Sequence, residues 1–459
     1  MNWKKILLLA IPSIASFAAM TATGTINLIM VGQLGALAIA IVGVSNIIMY
    51  NVWALFSGIG HTVNYLVAQN FGSNNMKKGV ERTQLALYFC LAASVLITLT
   101  GLFASGSLLS LMGASTEFIK QGESYLTIRF FAMIFSIFTF AFHGFFRGIG
   151  DAKTPMATSI IGNIIMIFFT YTLTYGNLGF PEIGLAGAGW AVFIGEGIIM
   201  LTSAFVYFFQ LHKKYNTRSM AGWNRTESKL IFTESSKLGI EEFSKSIAMF
   251  VFTMFVTRLG TNALAANEIA LSVMSFGFMP AFAFGATATI LVGQEVGRAN
   301  PLGARRLGTE TAILGSIFIL LLGLLEFIFA EPIINMYTTD PNVSHLAATL
   351  IKISAFWQIF DALFNFYAGG LRGIGDTSFL LKASVLTGWF VFIPLTYVFT
   401  FILGLKSIGA WIALYTFLMV LGATLMIRFY RTDWANIEMK SGEEPTAADH
   451  QEKSMETIG

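Results

Sequence analysis

Long apolar runs separated by short polar breaks set the pattern of this chain. At about 20 apolar residues per bilayer crossing, the runs divide into twelve segments, near 6–32, 36–70, 83–112, 122–146, 156–176, 185–211, 238–259, 262–295, 308–330, 345–371, 378–402 and 408–429. Glycine, proline, asparagine or clustered charge separates them. The pattern predicts an all-α membrane protein with twelve transmembrane helices. The first run needs its own argument, because Met1 to Lys5 ahead of it imitates a secretory signal and small residues near Ala18 resemble a cleavage site. The run continues to Val31, too long for a signal core and long enough to cross a bilayer, so it reads as the first spanning helix.

Composition narrows the class. Of 459 residues, 55% are hydrophobic and 12% charged, where a soluble domain carries about 25% charge. That excludes a water-exposed globule, and the 44 Phe exclude a disordered chain. The one cysteine, Cys90, lies in an apolar run and reads as a small apolar residue, so no intrachain disulfide or cysteine metal site is available. The formal charge of +3 hides an asymmetry: from Asp433 onward there are seven acids and two bases, which leaves +8 on the rest. Bases gather in alternate connections, at Lys4/Lys5, Lys77/Lys78/Arg82, Arg147/Lys153, Lys213 to Lys229, Arg298/Arg305/Arg306, Arg372 and Arg428/Arg431. By the positive-inside rule both termini are expected in the cytoplasm, which requires an even number of spans, and the expected location is the plasma (inner) membrane. These bases anchor loops, and no nucleic-acid partner is implied.

Internal repetition sets the architecture. Gly60-His-Thr-Val-Asn-Tyr-Leu-Val-Ala-Gln-Asn-Phe-Gly72 returns as Gly285-Ala-Thr-Ala-Thr-Ile-Leu-Val-Gly-Gln-Glu-Val-Gly297, 225 residues on. Arg147-Gly-Ile-Gly-Asp151 returns as Arg372-Gly-Ile-Gly-Asp376 at the same offset of 225. The chain is therefore expected to be two parallel six-helix repeats: an N-terminal lobe over 1–211, a cytoplasmic linker over 212–229, a C-terminal lobe over 230–430, and an acidic cytoplasmic tail over 431–459, expected to be disordered. Transporters built this way hold substrate between the halves and rock one against the other.

The doubled Arg-Gly-Ile-Gly-Asp, with Met30-Val-Gly-Gln-Leu-Gly35 and Leu264-Ala-Ala-Asn-Glu-Ile-Ala270, resembles the multidrug and toxic compound extrusion (MATE) family over residues 5 to 430. The resemblance implies a V-shaped pair of six-helix bundles that exports cationic, often aromatic compounds in exchange for protons or sodium ions.

Charges inside the bilayer are costly, so each is a functional candidate. Asp361 precedes Arg372, the inner end of its helix, by eleven residues, which puts it roughly 16 Å deep. Its segment Trp357-Gln-Ile-Phe-Asp361 is similar to the family's acid-bearing tenth helix, where that Asp takes part in cation coupling; the coupling ion expected at Asp361 is a proton or a sodium ion, with no firm metal site. The first repeat has Ser136 there. Lys245 lies within the seventh helix, with Glu241 and Glu242 at the spacing that shares its face; the two acids serve equally as coupling groups or as a polar helix start. Where the sodium-coupled members are expected to have a Glu, this chain has Lys245, and a Lys245–Asp361 pair released by protonation is expected to open an exit pathway. Glu268 is a further coupling candidate or a charge at a helix start. In the first lobe, Asn27 and Thr170 stand where the family's proton-coupled members have Asp, and neither titrates; Glu196 is the remaining acid, with a bundle contact as its alternative.

Arg147 and Arg372, with Asp151 and Asp376, read as a cytoplasmic latch at helix ends rather than a substrate site. Asn27, Tyr50, Trp53, Phe135, Phe138, Met274 and Met279 are candidate substrate-lining residues, since aromatic faces attract organic cations and Met adapts to varied shapes. No phosphate loop, HExxH or GxSxG is present, so no enzyme is expected, and no cofactor beyond the coupling ion. The expected partners are small organic cations and the bilayer, with the protein a monomer. Two other readings stay open: a flippase for a lipid-linked saccharide, which would line its cavity with several Arg or Lys, and a channel or receptor.

Overall fold

The computed structural model describes residues 2–111, 115–219, 222–337 and 340–441, which contain helices, turns and loops and no strand. The long helices are α1 (Trp3–Gly32), α2 (Ala36–Gly72), α3 (Met76–Leu111), α4 (Thr116–Gly148), α5 (Lys153–Tyr175), α6 (Gly184–Gln210), α7 (Arg225–Thr257), α8 (Thr261–Gly297), α9 (Pro301–Ile328), α10 (Pro341–Ile374), α11 (Thr377–Ile402) and α12 (Lys406–Arg431). Among the described residues, eleven of these are long and apolar enough to cross a membrane. The exception is α7, whose first two-thirds carry Glu227, Glu234, Lys237, Glu241, Glu242 and Lys245. Chain chemistry sets the helix starts: Asn224 accepts from Thr226 N and Glu227 N at the head of α7, and Asn300 and Asp340 cap α9 and α10 just before a proline. The turns from α1 to α2 and from α7 to α8 pass through Gly35 (φ 111°) and Gly260 (φ 104°), backbone that favours glycine.

Helices α1–α6 pack into one bundle and α7–α12 into the other, the second repeating the contacts of the first. Glycine permits the tightest crossings: a Cβ on Gly144 would stand 2.5 Å from Gly60 O, and one on Gly369 would stand 2.0 Å from Gly285 O. These are the α2–α4 and α8–α10 crossings, in register at the repeat offset.

The lobes meet at the end that carries the chain termini. A Cβ on Gly72 would lie 2.0 Å from Gln294 O, and one on Gly297 would lie 1.9 Å from Gln69 O. Beside this crossing Gln69 Nε2 donates to Gly373 O (2.9 Å) and Gln294 Nε2 donates to Gly148 O (3.0 Å). Each lobe thus reaches into the other with the same glutamine. Residues of α2, α4, α7, α8 and α10 line a cleft between the lobes, and toward the end opposite the termini α2 and α8 expose Ile39, Ile47, Tyr50, Phe276 and Phe278.

The tail departs from expectation. Its first residues are ordered: Trp434 is buried against Phe429, Lys440 N donates to Gln69 Oε1 (2.9 Å), and Arg82 donates to Lys440 O (2.9 Å). A segment that satisfies its backbone groups on the protein has no reason to stay in solvent. The remainder, 442–459, lies outside the described residues.

Candidate functional site

The polar half of α7 faces α10 and α11. Lys245 Nζ donates to Glu242 Oε1 (2.9 Å) and Glu241 Oε1 (3.3 Å), and lies 4.7 Å from the centre of the Phe364 ring. Ser384 donates to Glu241 Oε1 (3.3 Å), and Arg372 reaches Glu241 and Glu242 at 3.9 and 3.8 Å. The expected Lys245–Asp361 ion pair is not formed in this conformation: helical spacing puts two carboxylates on the face of Lys245 itself, and they hold the ammonium. Lys245 acts on Asp361 through space only.

Asp361 is buried on α10, where Asn365 Nδ2 donates to its Oδ1 (3.2 Å) and its backbone carbonyl (2.9 Å). Deeper in the same lobe is an acid the sequence reading passed over. Glu326 on α9 is buried and interacts with Gln358, one turn before Asp361. The signal was available, for Glu326 is the one charge between Glu310 and Glu331 in an apolar run. Glu268, by contrast, is exposed near the start of α8, beside Asn267, whose Oδ1 accepts from the buried Trp411 (2.9 Å). In the first lobe Glu196 is half-buried and interacts with Ser136, the residue at the repeat position of Asp361. A carboxylate from α6 thus occupies the neighbourhood that α10 fills directly in the second lobe.

Between the lobes, aromatic rings form a continuous lining. Tyr50 stacks on Trp53 (5.9 Å between centroids), Trp53 meets Phe140 (5.6 Å), Phe140 meets His61 (5.1 Å), His61 meets Phe282 (6.2 Å), and Phe282 touches both Phe17 (5.0 Å) and Phe278 (5.8 Å). Tyr50 and Trp53 are thus brought together as lining candidates. Phe135 and Phe138 are not: Phe135 packs on Phe193 (4.9 Å) inside the first lobe, and Phe138 packs against the core. At 100° per residue Phe140 lies on the opposite side of α4 from Phe138, and it is the ring that faces the cleft. On α8, Met279 is buried and Met274 packs on the core, while Phe278 and Phe282 face outward. Asn27 is half-buried, with its Oδ1 lacking a hydrogen-bond partner.

The latch also differs from expectation. Asp151 does not pair with Arg147 but caps α5, accepting from Lys153 N and Thr154 N (both 3.0 Å), and Asp376 pairs with Arg428 (2.8 Å). The motif does join the lobes, through the carbonyls of Gly148 and Gly373 that receive Gln294 and Gln69. Its arginines point elsewhere. Both line a cavity at the foot of the cleft, about 510 Å³ counted to its mouth and admitting little more than a water molecule at its base, together with His61, Asn64, Glu242 and Lys245.

Comparison with known proteins extends over most of the chain. The family model described as MatE matches residues 12–172 and again 238–398, once in each lobe. A protein of Thermotoga maritima described as "Probable multidrug resistance protein NorM" is 28% identical, over 93% of this chain and 92% of its own. One of the same description from Bacillus anthracis is 26% identical over 93% and 95%. Among solved structures, one described as an outward-facing conformation of a multidrug resistance MATE family transporter of the MOP superfamily superposes with a TM-score of 0.85, at 21% identity, over 93% of this chain and 96% of that one. At that identity the likeness concerns the fold.

Proposed function

The chain belongs to the MatE family, the multidrug and toxic compound extrusion transporters, and on that premise we propose that it is a secondary exporter that moves organic compounds, chiefly aromatic cations, out of the cell against an inward flow of protons or sodium ions. The end that carries the termini is cytoplasmic, by the placement of the basic connections, so the arrangement described above is open to the outside. Substrate leaves from the aromatic cleft, whose rings stabilise a cation by about 0.5–2 kcal/mol each. The multidrug resistance relatives support the export reading.

One observation carries the coupling. Asp361, Glu241, Glu242, Lys245 and Arg372 form one polar group beside the cleft, three acids against two bases. The group is one cation short of neutrality, and Asp361 is the acid with no ion pair. A proton or sodium ion arriving at Asp361 balances the group and removes its pull on Lys245. Buried charge is costly to leave uncompensated, so gain or loss of that ion favours different packings of α7 against α10, and through them different openings of the cleft.

Everted membrane vesicles given a fluorescent organic cation in the outside medium provide the test. We expect saturable uptake that collapses with a protonophore or depends on sodium, and Asp361→Asn to abolish the gradient-driven part while the dye still binds. Undiminished gradient-driven uptake by Asp361→Asn would overturn the coupling role.

A further inference from the structure

The two lobes carry the same arginine in different electrical surroundings. Arg372 in the second lobe faces Glu241 and Glu242 at 3.9 and 3.8 Å. Subtracting the repeat offset of 225 from these three positions leads to Arg147, Ser16 and Phe17. The structure keeps the correspondence: Arg147 lies 5.0 Å from the Phe17 ring centre, where Arg372 has its carboxylate. Lys245 corresponds to Met20. The second-lobe wall sets Glu241, Glu242 and the nearby Asp361 against Lys245 and Arg372, so its arginine is compensated by carboxylates. The first-lobe wall carries an unbalanced positive charge at Arg147.

Arg147 is 5% exposed, and among the described residues it makes no ion pair and no side-chain hydrogen bond. Its Nε is buried without an acceptor, and beside it in the same cavity His61 Nε2 is buried without a partner. A ring face compensates a guanidinium far less than a carboxylate does. Buried charges in proteins are paired or hydrogen-bonded, and neither holds here. We propose that Arg147, with His61 beside it, is a binding subsite for an anionic oxygen group, a carboxylate or phosphate, on the molecule that occupies the cleft.

This deepens the export reading and rests on it. The anionic end of a ligand reaches Arg147 and His61 where they line the cavity, above its narrow base, while the ligand's rings lie higher in the cleft. An anionic lipid headgroup presents the same chemistry from another source.

The test uses the full-length protein in detergent and a matched pair of fluorescent xanthylium dyes, one with a free benzoate and the other its methyl ester, read by fluorescence anisotropy. Wild-type protein is expected to bind the free acid about tenfold or more tightly than the ester, the scale of one charge-assisted hydrogen bond. Arg147→Gln is expected to erase that preference and leave ester binding within about twofold, and Arg147→Lys to restore part of it, since a lysine keeps the charge without the fork. Retained ester binding shows that each variant is folded. Equal binding of the two dyes by wild type, which needs no variant, overturns the subsite, and so does a preference that survives in Arg147→Gln. Competition by soluble short-chain phosphatidylglycerol against the free acid alone, lost in Arg147→Gln, identifies the headgroup as the ligand source; competition by benzoate and not by the lipid identifies the drug carboxylate. Gradient-driven transport of the ester in vesicles is scored separately, so that failure of the export reading is distinguishable from failure of the subsite.

Discussion

Single residues show how this chain tolerates charge. At the membrane edge, Arg82 and Glu227 are both 2% exposed and bonded at 2.7 Å, with Lys78 also on Glu227 at 2.9 Å. Burial alone would push the Glu227 carboxyl up, but Arg82 and Lys78 outweigh it and hold it below its usual value of 4.5. A depressed carboxylate contributes stability that is present above its unfolded value and lost as pH falls through its folded one. Thermal stability in detergent is therefore expected to fall as pH is lowered below 4.5, and Glu227→Gln to flatten that dependence. The variant is also expected to cost about 3–5 kcal/mol at neutral pH, because Arg82 is left buried without its partner. A pH dependence as steep in Glu227→Gln as in wild type would assign it to other groups. Asp361 was recognisable in the sequence as an acid in an apolar run, and Glu326 by the same rule should have been. The pairing of Lys245 with Glu241 and Glu242 was legible in their i−3 and i−4 spacing. The distance of that cluster from Asp361 was not, because it depends on the rotation of α7 against α10, which residue spacing along one helix does not set.

At the scale of the helix, glycine governs how closely the lobes pack. Gly58 on α2 and Gly239 on α7 stand at the lobe interface, where a Cβ on Gly58 would lie 2.0 Å from Ser235 O and one on Gly239 would lie 2.1 Å from Leu55 O. Both neighbours are backbone and cannot swing aside. Gly239→Ala is expected to drive α2 and α7 apart, breaking the nearby bond from Ser246 to Asn51 (2.8 Å) and lowering stability by about 1–3 kcal/mol. A Tm in detergent unchanged from wild type would show that the crossing has slack. Helix number and order were legible from apolar length, with α7 the instructive case: its charges break the hydropathy signal because they face the other helices rather than lipid. The facing of rings was less legible. Phe135 and Phe138 share one face of α4 and Phe140 another, and only the neighbouring α2 and α8 determine which face borders the cleft.

For the whole molecule, closure at one end depends on few polar contacts. Gln69 joins three segments at once, giving its Nε2 to Gly373 and taking Lys440 N on its Oε1, while Lys440 Nζ lies 3.9 Å from Glu234. Glu234 is itself bound by Tyr65 and Lys237, both at 2.8 Å. The tail segment through Lys440 therefore straps both lobes. A chain ending at Thr432 is expected to populate a wider separation between spin labels at the exposed positions Lys77 and Leu302, measured by pulsed dipolar spectroscopy. An unaltered distance distribution would remove the strap from the gating machinery. The reciprocal glutamine bonds have a different consequence, for the way sequence change can reach this contact. Their acceptors are the carbonyls of Gly148 and Gly373, which no substitution at those positions deletes. A Cβ at Gly148 would meet Val67 at 2.8 Å, and one at Gly373 would meet Thr289 O at 2.9 Å, so the glycines themselves have little room to vary. Drift and drug selection can thus retune these two bonds only from the glutamine side, one lobe at a time, in steps of about one hydrogen bond each.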